Sequence, residues 1–120
     1  MQMKTGNFPQ TARIRKSPEF KLVLDARRSA ANNVLIVFAM PNGLEQSRLG
    51  ISVSRKVGNA VIRNRWKRLI REAFRKTRTK FAGTFDLVVI PQRNAPPPTA
   101  QIVFDSLQHL VKKIEKHRKL

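Results

Sequence analysis

Residues Lys56 to Phe74, KVGNAVIRNRWKRLIREAF, divide into an apolar side and a cationic side only when wound as a helix. At about 100° per residue, Ile62, Trp66, Leu69, Ile70 and Ala73 share one face, and the spacing predicts that this face is buried. The opposite face gathers Asn64, Lys67, Arg68, Arg71 and Arg75, a stripe of hydrogen-bond donors with a single acid, Glu72, at its flank. Asn59, just after Gly58, is a good N-cap, so the helix is expected to begin there with its first N–H groups facing the loop Arg55 to Gly58. Arg63, Arg65 and Lys56 are expected to extend the cationic patch.

The rest of the chain must pack around this helix. The 120 residues suit one domain, 1–120, since a chain of this length removes roughly two-thirds of its unfolded surface from water. Residues 1–12 read as a flexible lead-in and 117–120 as a basic tail. Ser17-Pro18-Glu19 supplies a cap, a first-turn proline and an acid, which predicts a short helix from about Pro18 to Arg28 with Phe20, Val23 and Leu24 on its apolar side. VLIVFAM (34–40) and RLGISVS (48–54), separated by the turn Pro41-Asn42-Gly43, are expected to form an antiparallel hairpin. Beyond the basic helix and Gly83, FDLVVIP (85–91) predicts a strand ended by Pro91, interior because Leu87 to Ile90 is apolar throughout. Asn94 to Pro98 reads as a stiff loop. A last helix is expected after Thr99, with Ile102, Val103, Leu107, Leu110, Val111 and Ile114 facing the core and a basic end from Lys112 to Lys119. The order helix, strand, strand, helix, strand, helix predicts a single-domain α+β sandwich with helices packed on a mixed central sheet.

Charge narrows the function. Lys plus Arg number 25 against 7 Asp plus Glu, a formal net charge of +18, and residues 55–80 hold eleven of the 25 bases. A surface this cationic attracts a polyanion, and RNA is the expected partner. Neutralising about six single-stranded or irregular phosphates would make log affinity fall with log salt at a slope near −4. Phe20 and Phe38 are candidate stacking platforms for unpaired bases. The acids, Glu19, Asp25, Glu45, Glu72, Asp86, Asp105 and Glu115, form no close pair in sequence. A two-metal nuclease site needs several carboxylates together, so no catalytic residue is nominated in this chain and metal ligands stay unassigned. His109 and His117 read as solvated surface residues. With no cysteine, no apolar run near the roughly 20 residues that span a bilayer, and no secretory segment, the chain is expected to be cytoplasmic and free of membrane.

The run ISVSRKVGNAVIRNRWKRLIREAF closely resembles the protein component of bacterial ribonuclease P. Arg63-Asn64-Arg65 followed by Lys67-Arg68 and Arg71 is similar to that family's RNR signature, and the preceding residues resemble its S-x-S-[KR]-K-[IV]-G-N segment. Arg13 to Lys16 leading to Phe20, the expected hairpin, FDLVVI and the SLQHL helix also resemble family segments, so the likeness covers nearly everything from Arg13 to Lys116. The resemblance implies a subunit of a ribonucleoprotein endonuclease in which a catalytic RNA, with Mg²⁺ held mainly by that RNA, removes the 5′ leader from precursor tRNA. It implies RNA contact by Arg55, Lys56, Asn59, Arg63, Asn64, Arg65, Lys67, Arg68 and Arg71. A leader cleft at Phe20, Leu24 and Phe38 follows from it too, as does a left-handed βαβ crossover around the basic helix. No obligate protein partner is expected. The alternative from a different class is a ribosomal or general structural RNA-binding protein; a protein-only nuclease is disfavoured by the scattered acids.

Overall fold

The computed structural model describes residues 17–26, 28–92 and 96–118. The expected lead-in, part of the 94–98 loop and the last two residues of the tail lie outside them. Helix α1 spans Ser17–Asp25, strand β1 Ser29–Ala31, β2 Leu35–Pro41 and β3 Arg48–Ile51. A 3-10 turn at Arg55–Val57 leads into helix α2, Ala60–Thr77; β4 is Phe85–Pro91 and α3 is Ala100–Arg118. The strands form one sheet in the order β1-β2-β4-β3.

The expected hairpin is corrected by this order. Strands β2 and β3 run in opposite directions but do not touch, because β4 lies between them, antiparallel to β2 and parallel to β3. Pairing consecutive strands is the commoner arrangement. Here β4 takes the central place because five consecutive residues, Phe85 to Val89, are buried, so both of its faces are covered. The parallel β3-α2-β4 crossover follows from that insertion.

Strand β1 was not expected from the sequence. Helix α1 stops at Asp25, short of Arg28, because the next residues are drawn into the sheet: the Arg28 carbonyl accepts the Ala39 N–H at 2.9 Å, and Ser29 pairs with Phe38. The Asn32 side chain closes the turn, its Oδ1 accepting the N–H groups of Val34 and Leu35 at 2.8 and 2.9 Å.

Alternation sorts the sheet into two faces. Leu35, Val37, Ala39, Leu49, Phe85, Leu87 and Val89 pack with Trp66, Ile70, Ala73 and Phe74 of α2 and with Val103, Leu107, Leu110, Val111 and Ile114 of α3. On the other face α1 sets Val23 against Val88, with Phe20, Phe38, Met40 and Ile90 around them. Ile102, expected in the core, is 44% exposed at the start of α3. It lies about 100° round the helix from Val103 and 140° from Leu107, at the edge of the buried stripe in the first turn, so the fully buried apolar positions begin one residue later.

Candidate nucleic-acid interface

Helix α2 begins where the capping signal places it. Asn59 has extended backbone, and its Oδ1 accepts the Ile62 N–H at 3.0 Å. Gly58 lets the preceding loop approach closely, since a Cβ there would lie 2.9 Å from Ile62 Cγ2. The helix runs three residues past Phe74 to Thr77, whose buried hydroxyl donates to the Ala73 carbonyl at 2.8 Å. Trp66, Ile70 and Phe74 are fully buried, while Ile62 and Leu69 are half-buried at the margin of the apolar face.

The apolar anchoring fixes which side chains point away. Asn64, Arg65, Lys67, Arg68 and Arg71, together with Val61, line one open hollow of about 550 Å³ on the outer side of α2. Asn64, Arg65 and Arg68 are exposed, and Lys67 and Arg71 are half-buried on its flank. Arg55 and Lys56 are exposed in the 3-10 turn just before the helix, held there by buried Val57. Asn59 spends its oxygen on the cap and keeps its amide NH₂ for other contacts.

Two predicted donors sit differently. Arg75 is bound by Glu72 one turn earlier, so the acid at the flank neutralises one end of the stripe. Arg63 lies seven residues before Ile70, on nearly the same rotation, and is half-buried. Its Nε is buried with no hydrogen-bond partner among the described residues. It therefore borders the outer face instead of belonging to it.

On the opposite side of the molecule, Phe20 and Phe38 join one apolar cluster and both keep part of their surface open. Leu24, one turn after Phe20 on α1, is 36% exposed. Met40 and Ile90, not expected at this surface, complete it. The signal for Met40 was present: Ile36, Phe38 and Met40 alternate along β2 and share a face.

Four of the acids are engaged separately. Asp86 holds Arg48 and Asn42, Glu72 holds Arg75, Asp105 accepts from Gln101, and Glu115 accepts the backbone N–H groups of Ala82 and Gly83. No group of three or more His, Asp or Glu placed to hold a metal occurs among the described residues. His109 is exposed, whereas the side chain of His117 lies outside the description. No described helix is long and apolar enough to cross a membrane.

The sequence matches the Ribonuclease P family over residues 8–115. The chain belongs to that family. It is 37% identical over 103 residues to the ribonuclease P protein component of Alkaliphilus metalliredigens, covering 86% of this chain and 93% of the relative. With the corresponding protein of Thermotoga maritima it shares 36% identity over 115 residues, 92% of this chain and 98% of the relative. Among solved structures, the Staphylococcus aureus RNase P protein superposes with a TM-score of 0.73 at 40% identity, covering 88% of this chain and 95% of that one. The RNase P protein of T. maritima gives 0.72 at 35% identity, with 84% and 96% covered. The mixed α+β fold seen here is thus the fold of this ribonuclease P family.

Proposed function

We propose that this ribonuclease P protein subunit binds the RNA subunit through the outer face of α2 and receives the single-stranded 5′ leader of precursor tRNA against the Phe20 and Phe38 surface. The observation that carries the reading is the alignment of Asn64, Arg65, Lys67, Arg68 and Arg71 around one hollow. Guanidinium groups bind phosphate oxygens in bidentate fashion and lysine adds a point charge, so this face suits a phosphodiester backbone. The apolar patch suits base stacking, which tolerates any base because every base has a π-face.

Hydrolysis of the leader bond is assigned to the RNA subunit. Among the described residues no three acids or histidines gather where they could hold a metal, and the donor face offers a cation little beyond the amide oxygen of Asn64. That set does not fit Mg²⁺, so the metal required for leader removal belongs with the RNA and not with α2. The work of this chain is to screen backbone repulsion, fix the RNA surface and hold the leader. Arg55 and Lys56 extend the phosphate-binding surface beyond the N-terminal end of α2. The cytoplasm, where precursor tRNA is processed in bacteria, is the proposed location.

The test is reconstitution with the RNA subunit and labelled precursor tRNA. Tighter binding of precursor than of mature tRNA, with release of the leader only when both subunits are present, is expected. Equal affinities for the two tRNAs would overturn the leader assignment, and co-sedimentation with ribosomal subunits without effect on leader removal would favour the structural RNA-binding alternative.

A further inference from the structure

Helix α3 carries a second cationic surface that neither the RNR-like segment nor the apolar cleft accounts for. Val103, Leu107, Leu110, Val111 and Ile114 turn inward, which leaves His109, Lys112, Lys113 and Lys116 exposed along the outer side of the C-terminal half. Their spacing of three, four and seven places them on one broad stripe.

The acid nearest these lysines is turned elsewhere. Glu115 Oε2 accepts the N–H groups of Ala82 and Gly83 at 2.7 and 3.3 Å, clamping the α2-to-β4 connection against the end of α3. Asp105, one turn before His109 on the exposed side, accepts from Gln101 at 2.8 Å. Among the described residues, Lys112, Lys113 and Lys116 make no ion pair.

The ordinary reading of lysines near a helix C-terminus is macrodipole compensation, which decays within the last turn. It covers Lys116, since α3 ends at Arg118, but Lys112 and Lys113 lie more than one turn further back. The Glu115 clamp also fixes where these lysines lie. It brings the C-terminal end of α3 to the connection that follows α2, whose last turns bear exposed Lys76.

We infer that Lys112, Lys113 and Lys116 of α3 form a second docking surface for RNA, engaging a stretch of phosphodiester backbone of the RNA subunit separate from the one on α2. The inference rests on the proposed α2 interface and extends it. Helices α2 and α3 pack into one core on the same face of the sheet, so each turns its cationic side away from that core, where a folded RNA can reach both. Unpaired, flexible ammonium groups suit phosphate contact without base reading.

The experiment compares three variants of the full chain assembled with the RNA subunit: Lys112→Gln/Lys113→Gln/Lys116→Gln, the same three positions changed to Arg, and Arg65→Gln/Arg68→Gln. Affinity is measured across a salt series, the RNA is footprinted with hydroxyl radicals, and each protein is melted alone. The glutamine triple is expected to make the salt slope shallower by about 2 to 3, at 0.7–0.9 per lost phosphate contact, and to open one protected RNA segment while keeping the wild-type melting temperature. The arginine triple is expected to keep the slope and the footprint. Loss of a local footprint separates contact from a general effect of net charge. If Arg65→Gln/Arg68→Gln weakens binding as the α2 reading requires while the glutamine triple keeps the wild-type slope and footprint, the α3 surface is overturned alone. If Arg65→Gln/Arg68→Gln binds normally, the α2 reading falls and the α3 inference falls with it.

Discussion

Arg48 grips Asp86 twice, with Nε 2.8 Å from Oδ1 and Nη2 2.6 Å from Oδ2. The pair joins β3 to β4, and Asn42 at the end of β2 donates to the same Asp86 Oδ1 at 2.9 Å. One carboxylate on the central strand therefore holds the two flanking segments apart by the width of a strand. That contact lets the loop 42–47 carry the chain across β4 instead of closing a hairpin.

Since the Asp86 side chain is 4% exposed, removing its cation strands a buried charge. Arg48→Met is expected to lower unfolding free energy by about 3–5 kcal/mol, as breaking one side of a buried pair does. Asp86→Asn combined with Arg48→Met is expected to recover much of that loss. Urea denaturation checks both, and additive losses in the double variant would show that the two residues do not act together.

Gly58 supports a second expectation. Alanine there would press its Cβ to 2.9 Å from Ile62 Cγ2 and 3.0 Å from Cδ1. Gly58→Ala is expected to cost about 1–3 kcal/mol by overpacking. Ile62→Ala removes both of those atoms and leaves its Cβ, at 3.0 Å, so the double variant should lose less than the sum of the singles in thermal melts. A full sum would mean that the crowding is relieved elsewhere.

The basic helix could be read from sequence almost residue by residue, because a period of 3.6 leaves little freedom once Trp66 and Ile70 must be buried. What periodicity cannot rank is depth: Leu69 and Ile70 share a face, yet only Ile70 is fully buried. Strand order was hidden for another reason. The alternation of Leu49 and Ile51 is satisfied equally by pairing with β2 or with β4, and the contacts that tie β3 to β4 include Asp86, an acid whose two partners lie 38 and 44 residues away in sequence. Arg63 shows the same limit at the site, since an RNR triplet counts three donors while the helix turns one of its arginines toward the protein.

Depth and outward facing predict opposite phenotypes on one helix. Ile70→Ala is expected to destabilise the protein by about 2–5 kcal/mol while sparing RNA affinity in the folded fraction. Arg68→Ala is expected to weaken assembly with the RNA subunit at an unchanged melting temperature. Circular dichroism melts alongside filter binding separate them, and a large stability loss in Arg68→Ala would place that side chain in the packing.

Glu72 restrains the donor face by pairing with Arg75. Glu72→Gln removes a negative charge facing the RNA and frees a guanidinium, so RNA affinity is expected to rise several-fold at low salt, with the salt slope steeper by about 0.7–0.9 for one added phosphate contact. Arg75→Ala in the wild-type background is expected to weaken binding less than Arg68→Ala does. An affinity unaffected by Glu72→Gln would show that the RNA does not reach the last turns of α2.

The apolar face under α1 yields a prediction about substrate discrimination. Phe38 and Met40 stand two residues apart on β2, opposite Val88 and Asp86 of β4, so Phe38 lies over the apolar middle of the sheet and Met40 beside the Arg48–Asp86 pair. A base stacked on an aromatic ring contributes about 1–3 kcal/mol. Phe38→Ala is therefore expected to cut the preference for precursor over mature tRNA by roughly 5- to 150-fold and to leave binding of mature tRNA unchanged. Met40→Ala, which removes no ring, is expected to have a smaller effect in the same direction. Paired affinity measurements with leaders trimmed one nucleotide at a time provide the check, because a stacked base predicts a single step at the length that reaches Phe38. A preference that survives Phe38→Ala at every leader length would move the leader off this face.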